Sequence, residues 1–134
     1  MISRDLAEQL AARGLRWNPS SGDRFVVPDR DLDDEVFVVS GMSIEVADLP
    51  FGNEMRFNGT VEWALDSIQQ KEVIWLPREG QMRDALGGRF VRLESVTGGY
   101  AVVLAGADGE ENRHVDIDAE RAYARALLSA LPEA

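Results

Sequence analysis

The stretch that decides the fold runs from Phe90 to Val115 and reads FVRLESVTGGYAVVLAGADGEENRHV. Its apolar and β-branched residues fall into three runs, Phe90–Ser95, Tyr100–Ala105 and Arg113–Val115, which glycine-containing segments separate. Short runs of this composition, bounded by Gly and Asp, are typical of strands joined by tight turns. We therefore predict three consecutive antiparallel strands, that is, a β-meander.

A helix is predicted directly after this meander and extends to Leu131. Asp116 or Asp118 can accept a hydrogen bond from the first turn as its N-cap. One stripe of the helix is apolar and mostly small: Ala119, Ala122, Tyr123, Ala126, Leu127 and Ala130. Because alanine side chains are short, this stripe can approach a sheet closely, and we expect the helix to pack on the meander.

Three further helices are predicted upstream. The first follows Ser3 and ends at Gly14, which is a usual stop signal. The second spans Asn58–Ile68, since its apolar residues recur at i, i+3, i+4 and i+7 from Val61. The third begins at Pro77, which suits a first helical turn, and ends before the two glycines at 87 and 88.

The remaining strand candidates precede the meander in the sequence. Arg24–Val27, Glu35–Ser40 and Ser43–Ala47 are rich in Val, Ile and Phe, and their short connections predict a first antiparallel meander. A two-residue hairpin at Gly41-Met42 would join the last two, with glycine at the turn position that needs a positive φ. A short strand is also predicted at Val73–Leu76.

Two meanders and four helices without strict βαβ alternation predict the α+β class. We expect a curved sheet or half-barrel with about four helices packed on it, in a single domain over residues 1–134. Glu35–Ser40 and Tyr100–Ala105 are apolar on both faces. They are therefore predicted to be central strands that are covered on both sides.

Charge and hydropathy exclude several classes of partner. The chain carries 24 acidic and 14 basic residues, a net charge of -10, which repels phosphate backbones and anionic lipid headgroups. No apolar run approaches the roughly 20 residues that a membrane helix needs, and charges interrupt the apolar positions of the N-terminus. We expect no nucleic-acid or membrane partner and a cytoplasmic location.

Metal, cofactor and catalytic motifs are nearly absent. The chain has no cysteine and one histidine, His114, so zinc and thiol chemistry lack ligands. Asp29–Glu35 resembles the start of a calcium loop, but Asp34 occupies the glycine position and Ser40 the position of the bidentate glutamate. The only lysine, Lys71, is not part of a phosphate-binding loop. We predict no catalytic residue, no cofactor and no metal.

His114 and two aromatic residues are the candidates for chemistry. His114 is either a general base oriented by Asp116 or an exposed strand residue without a catalytic role. Trp75 is expected to pack at the junction between a strand and a helix, and ligand stacking is the alternative. If an apolar pocket lies between sheet and helices, we expect Trp75, Tyr100 and His114 to contribute to it.

Trp63 and Leu128 are candidate interface residues. On the predicted helix, Trp63 lies about 160 to 200° from the centre of the apolar face. It is therefore either covered by a second layer of the fold or part of a contact with another chain. Leu128 lies opposite the alanine stripe of the last helix, where a single exposed leucine is ordinary.

Several segments resemble a family of small actinobacterial proteins of unassigned function. These segments are Gly22–Phe25, Asp33–Phe37, Phe57–Ser67, Trp75–Glu79 and Gln81–Arg83. The resemblance spans most of the chain. Some members are labelled pilus assembly proteins, and the resemblance implies no catalytic residues.

These observations together favour a non-enzymatic protein-binding or regulatory module, with a homodimer as one form of binding. The alternative is a small-ligand binder or enzyme with an apolar pocket between sheet and helices. A pocket of several hundred Å³ with convergent polar groups would favour the alternative. A shallow exposed apolar patch would favour the binding module.

Overall fold

The structure is a computed structural model that describes residues 1–28, 35–39, 44–49, 52–57, 67–69 and 73–132; within 44–69 it describes the backbone. The chain divides into two compact units, one formed by residues 1–16 and 77–134 and one by residues 17–76. The single domain over residues 1–134 stays a prediction.

The first unit contains the three helices that are described. They are α1 (Arg4–Ala12), α2 (Glu79–Leu86) and α3 (Ala119–Ala130). Ser3 caps α1 by accepting a hydrogen bond from the backbone N–H of Leu6 at 3.3 Å. Asp118, rather than Asp116, caps α3, because its carboxylate accepts from the N–H of Arg121 at 3.0 Å. These three helices confirm three of the four that the sequence predicts.

The predicted second meander is confirmed in the same unit. Its strands are β7 (Phe90–Val96), β8 (Gly99–Ala105) and β9 (Glu111–Asp116), which pair antiparallel in the order β7-β8-β9. Thr97-Gly98 forms the two-residue connection between β7 and β8. Gly98 has a φ of 80°, which explains why a glycine occupies this turn.

Helix α3 packs against β8 and β9, and α1 and α2 pack against α3. The predicted apolar stripe of α3 faces this core, since Ala122, Tyr123, Ala126 and Leu127 are all buried. Tyr123 also stacks on Phe90 of β7, with 5.7 Å between the ring centroids. The four central residues of β8, from Ala101 to Leu104, are buried on both faces of the sheet. The prediction of a central, doubly covered strand is therefore confirmed here.

The described part of the second unit consists of strands. They are β1 (Arg24–Val26), β2 (Phe37–Val38), β3 (Ile44–Leu49), β4 (Gly52–Phe57), β5 (Ser67–Gln69) and β6 (Ile74–Leu76). All pairings are antiparallel and make two sheets, β2-β1-β6 and β3-β4-β5. The described residues thus give an α+β protein with three small, open sheets.

Pairing across the second unit departs from the predicted first meander. Strands β1 and β2 do pair, but β3 joins β4, and the second neighbour of β1 is β6. Strand β2 lies at the edge of its sheet among the described strands, so the prediction that Glu35–Ser40 is central is wrong. The half-barrel is wrong as well, because the strands divide among separate open sheets. The Gly41-Met42 hairpin lies outside the described residues.

The predicted helix Asn58–Ile68 is wrong at its C-terminal end. Ser67 and Ile68 belong to β5, where Ile68 lies opposite Met55 of β4. Although the apolar side chains are spaced as in a helix, inter-strand hydrogen bonding with β4 holds these two residues in a strand. Residues 58–66 lie outside the described residues. Strand β4 was not predicted, because Gly52–Phe57 lacks the β-branched residues that mark a strand.

Candidate functional site

The two predicted interface residues have different outcomes. Trp63 lies outside the described residues. Leu128 is half-buried on α3, and its carbonyl oxygen accepts a hydrogen bond from Arg13 Nη1 at 2.8 Å. This bond joins the C-terminal turn of α3 to the residue after α1. A role of Trp63 or Leu128 in an interface stays a prediction.

The structure places the three candidate pocket residues in both units. Trp75 lies on β6 of the second unit, whereas Tyr100 and His114 lie on β8 and β9 of the first. Tyr100 pairs with Asp116, and Val102, two residues further along β8, pairs with His114. Because residues that face each other across a ladder and every second residue along it share a face, Tyr100 and His114 lie on the same face of the sheet. That face is the one against which α3 packs.

Trp75 belongs to an aromatic cluster, as the packing interpretation of the sequence expects. Its ring stacks on that of Trp17, with 6.2 Å between the centroids and 8° between the planes. Trp17 contacts Phe25 at 5.8 Å, and Phe25 stacks on Phe37 at 5.5 Å. Trp75 stays half-buried, and its Nε1 is buried without a hydrogen-bond partner among the residues that the structure describes.

Asp23 holds Trp17 in this cluster. Its side chain is buried, and Oδ2 accepts hydrogen bonds from Trp17 Nε1 at 2.9 Å and from the backbone N–H and hydroxyl of Ser20 at 3.0 and 3.2 Å. A buried carboxylate is stable only when several donors replace its hydration. Asp23 thus closes the loop before β1 and fixes the tryptophan against it.

The surroundings of His114 do not form a nucleophile–base pair. His114 Nε2 lies 3.3 Å from the Oγ of Ser129 on α3. The hydroxyl of Ser129 donates its single proton to the carbonyl oxygen of Ala126 at 2.7 Å. A hydrogen bond between His114 and Ser129 therefore requires Nε2 to carry the proton and donate it. An imidazole nitrogen that donates to the serine does not remove the serine's proton, so this arrangement does not activate Ser129.

Asp116 orients arginines rather than His114. Its carboxylate accepts a hydrogen bond from Arg125 Nε at 2.8 Å, pairs with Arg121 Nε at 3.1 Å and accepts from the N–H of Asp118 at 3.1 Å. Burial raises the pKa of Asp116, but these donors outweigh it and leave the pKa below its ordinary value. Asp116 therefore does not orient His114, and a catalytic role of His114 stays a prediction. The pKa of His114 itself is lowered, first by burial and then by the positive charge of Arg89.

An open groove lies where the 3₁₀ turn Gly87–Arg89 approaches the end of β8. Its volume is about 490 Å³, and its lining residues are Gly88, Arg89, Ala105, Gly106 and Ala107. Arg89 is the one ionisable side chain of this lining, so polar groups do not converge there as they do in a ligand pocket. Neither Tyr100 nor His114 lines the groove.

No metal-ligand cluster is found in the described part of the chain, where no three His, Asp or Glu side chains come together in a suitable group. The acidic segment 29–34 lies outside that part. The absence of a metal site in the whole chain stays a prediction.

The most distinctive surface of the first unit is the face of the β7-β8-β9 sheet that points away from α3. Strand register places on this face, among others, Arg92, Glu94, Arg113 and Val115 and the fully buried Ala101 and Val103, and Ile117 follows just after β9. Glu111 adjoins them at the start of β9. We use "outer face" for these eight residues.

One end of the outer face carries a network of ion pairs. Arg92 Nη2 lies 2.9 Å from Glu111 Oε1, and Arg92 Nε lies 3.3 Å from Glu94 Oε2. Arg113 Nη2 lies 3.1 Å from Glu94 Oε1. The hydrogen bond from Arg92 lowers the pKa of Glu111, and the same bond raises the pKa of Arg92. These four side chains balance one another's charge within the sheet.

The other end of the outer face is apolar and open to solvent. Val115 is 53% exposed and Ile117 is 73% exposed. The chain after β9 passes directly over Gly99, since a Cβ added at Gly99 would overlap the carbonyl oxygen of Asp116 and lie 3.0 Å from the Cα of Ile117. Single exposed apolar residues are ordinary, but two neighbouring β-branched side chains with this exposure form a patch.

The exposure of Val115 and Ile117 does not follow from the predicted elements alone. A signal for them exists in the alternation of β9: Glu111 and Arg113 are charged, whereas the next two residues of the same phase, Val115 and Ile117, are apolar. Only the strand register shows that this phase points to solvent rather than to α3.

Both edges of this sheet carry features that oppose strand addition. Strand β7 has an irregular register between Phe90 and Arg92, as in a β-bulge. Four of the six residues of β9 are Glu, Arg, His or Asp. Bulges and charged edge strands are the usual means by which sheets avoid pairing with another chain. The surface open to an apolar contact is therefore not an edge of this sheet but the exposed part of its outer face, at Val115 and at Ile117 just after β9.

None of the described helices combines the length and the apolar character that crossing a bilayer requires. Comparison of the chain with protein-family models, curated proteins and solved structures finds no match. The resemblance to small actinobacterial proteins and the pilus assembly label stay predictions.

Proposed function

We propose that this chain is a non-enzymatic protein-binding module that contacts its partner through the outer face. The observation that carries this proposal is the exposure of Val115 on β9 and of Ile117 just after it, next to a sheet whose edges are protected. Burying these apolar side chains against a partner removes them from water and therefore favours binding.

The polar chemistry of the described residues supports a binding role over catalysis. The proton of Ser129 is directed to a backbone carbonyl, and the carboxylate of Asp116 is held by arginines. His114, the only histidine of the chain, therefore lacks the partners of a general base. A net charge of -10 supports a protein partner rather than a nucleic acid or an anionic membrane. We place the module in the cytoplasm on the same composition.

Trp63 and Leu128 remain candidate contributors to the interface of this module. Tryptophan is enriched among the residues that dominate binding energy, and on the predicted helix Trp63 would lie opposite the apolar face. Leu128 offers a half-buried side chain on α3.

Affinity capture with matched variants tests the proposal. Tagged wild-type protein and Ile117→Asp would each be incubated with lysate of the native cell supplemented with an untagged copy of the chain. Val38→Asp is the matched control, because Val38 is a β-strand valine of the second unit that is 48% exposed. We expect Ile117→Asp to lose a partner that wild type and Val38→Asp retain. Recovery of the same proteins by all three baits would contradict the proposal.

A small-ligand binder or enzyme remains the second candidate, and one observation favours it. The Nε1 of Trp75 is a buried donor without an acceptor among the described residues, and an oxygen atom of a ligand would satisfy it. Tyr100 and His114 belong to the same alternative but lie in the other unit. Ligand-dependent changes of tryptophan fluorescence that disappear in Trp75→Phe would support this candidate, and their absence over a metabolite library would exclude a stacking role for Trp75.

A further inference from the structure

We draw no further inference here: the strongest candidate, the open groove of about 490 Å³ where the 3₁₀ turn Gly87–Arg89 approaches the end of β8, has Arg89 as the one ionisable side chain of its lining, and nothing in the described part of the chain shows what would occupy it.

Discussion

Gly99→Ala is the substitution by which the geometry of the β7-β8-β9 sheet can be tested most directly. The added methyl would overlap the backbone oxygen of Asp116 and lie 3.0 Å from the Cα of Ile117 and 3.1 Å from the carbonyl carbon of Asp116. All three atoms belong to the main chain, so a side-chain rotation cannot relieve the collision. The segment that leads from β9 to α3 must move away from β8.

The cost of this movement can be worked from two contributions. Forcing an extra methyl group into a well-packed site costs about 1 to 3 kcal/mol. Moving the end of β9 away from β8 also weakens the hydrogen bonding around the Tyr100–Asp116 pair, at about 0.5 to 1.5 kcal/mol per bond lost. We expect Gly99→Ala to lower the free energy of unfolding by about 2 to 4 kcal/mol, which is a large share of the roughly 5 to 15 kcal/mol of a typical domain.

Urea denaturation followed by circular dichroism measures this change, and Gly80→Ala is its matched control. Gly80 lies on the exposed surface of α2 with nothing within 4 Å of an added Cβ. Alanine there should stabilise the protein by up to about 1 kcal/mol, since it restricts the unfolded chain and favours the helix. The two glycine-to-alanine changes thus have opposite expected signs. A Gly99→Ala variant within about 0.5 kcal/mol of wild type would refute the described crossing of the chain over Gly99.

Three further predictions follow from buried or titrating residues. Leu127 is 1% exposed, so Leu127→Ala should lower the free energy of unfolding measured in urea melts by about 2 to 5 kcal/mol. Leu128 is half-buried, so Leu128→Ala should lower it by less. Equal losses for the two variants would contradict the orientation of α3. The pKa of His114 is lower in the folded chain than in the unfolded chain, so the unfolded chain binds more protons at mildly acidic pH. The free energy of unfolding should therefore fall as the pH decreases from about 7.5 to 5.5. His114→Gln should show a smaller fall over this range. Asp23→Ala should destabilise the protein by about 1 to 3 kcal/mol and shift tryptophan emission to longer wavelength as Trp17 is released; an unchanged spectrum would argue against the hydrogen bond between them.

Sequence patterns predicted the first unit well because its structure follows from signals close together in the chain. The alternation of Phe90–Ser95 and the glycines of Thr97-Gly98-Gly99 specify a hairpin over a few residues. The cap and apolar stripe of α3 likewise lie within one segment. Of the two possible caps, Asp118 precedes the first helical residue and caps α3, whereas Asp116 is held by Arg121 and Arg125, and these contacts form only in the folded chain.

The second unit shows where local patterns fail. The spacing of the apolar residues around Ile68 is typical of a helix, yet Ile68 pairs with Met55 in a sheet. The reason is that β4, thirteen residues earlier in the chain, supplies a strand partner for its backbone. Phe37 and Val38 read as a central strand, but β2 lies at an edge among the described strands. In both cases the decisive contact comes from a segment outside the window that a periodicity argument examines.

For the candidate site, the sequence by itself determined which residue types are present: one histidine, no cysteine, a net charge of -10, and apolar residues at 115 and 117. Only the tertiary structure decided what these residues do. Strand register turned Val115 toward solvent, the position of α3 placed Ser129 beside His114, and Arg121 and Arg125 engaged Asp116. The physical reason is that composition sets the available charges and apolar groups, whereas burial, hydrogen bonding and pKa depend on neighbours that are distant in the chain and meet only on folding.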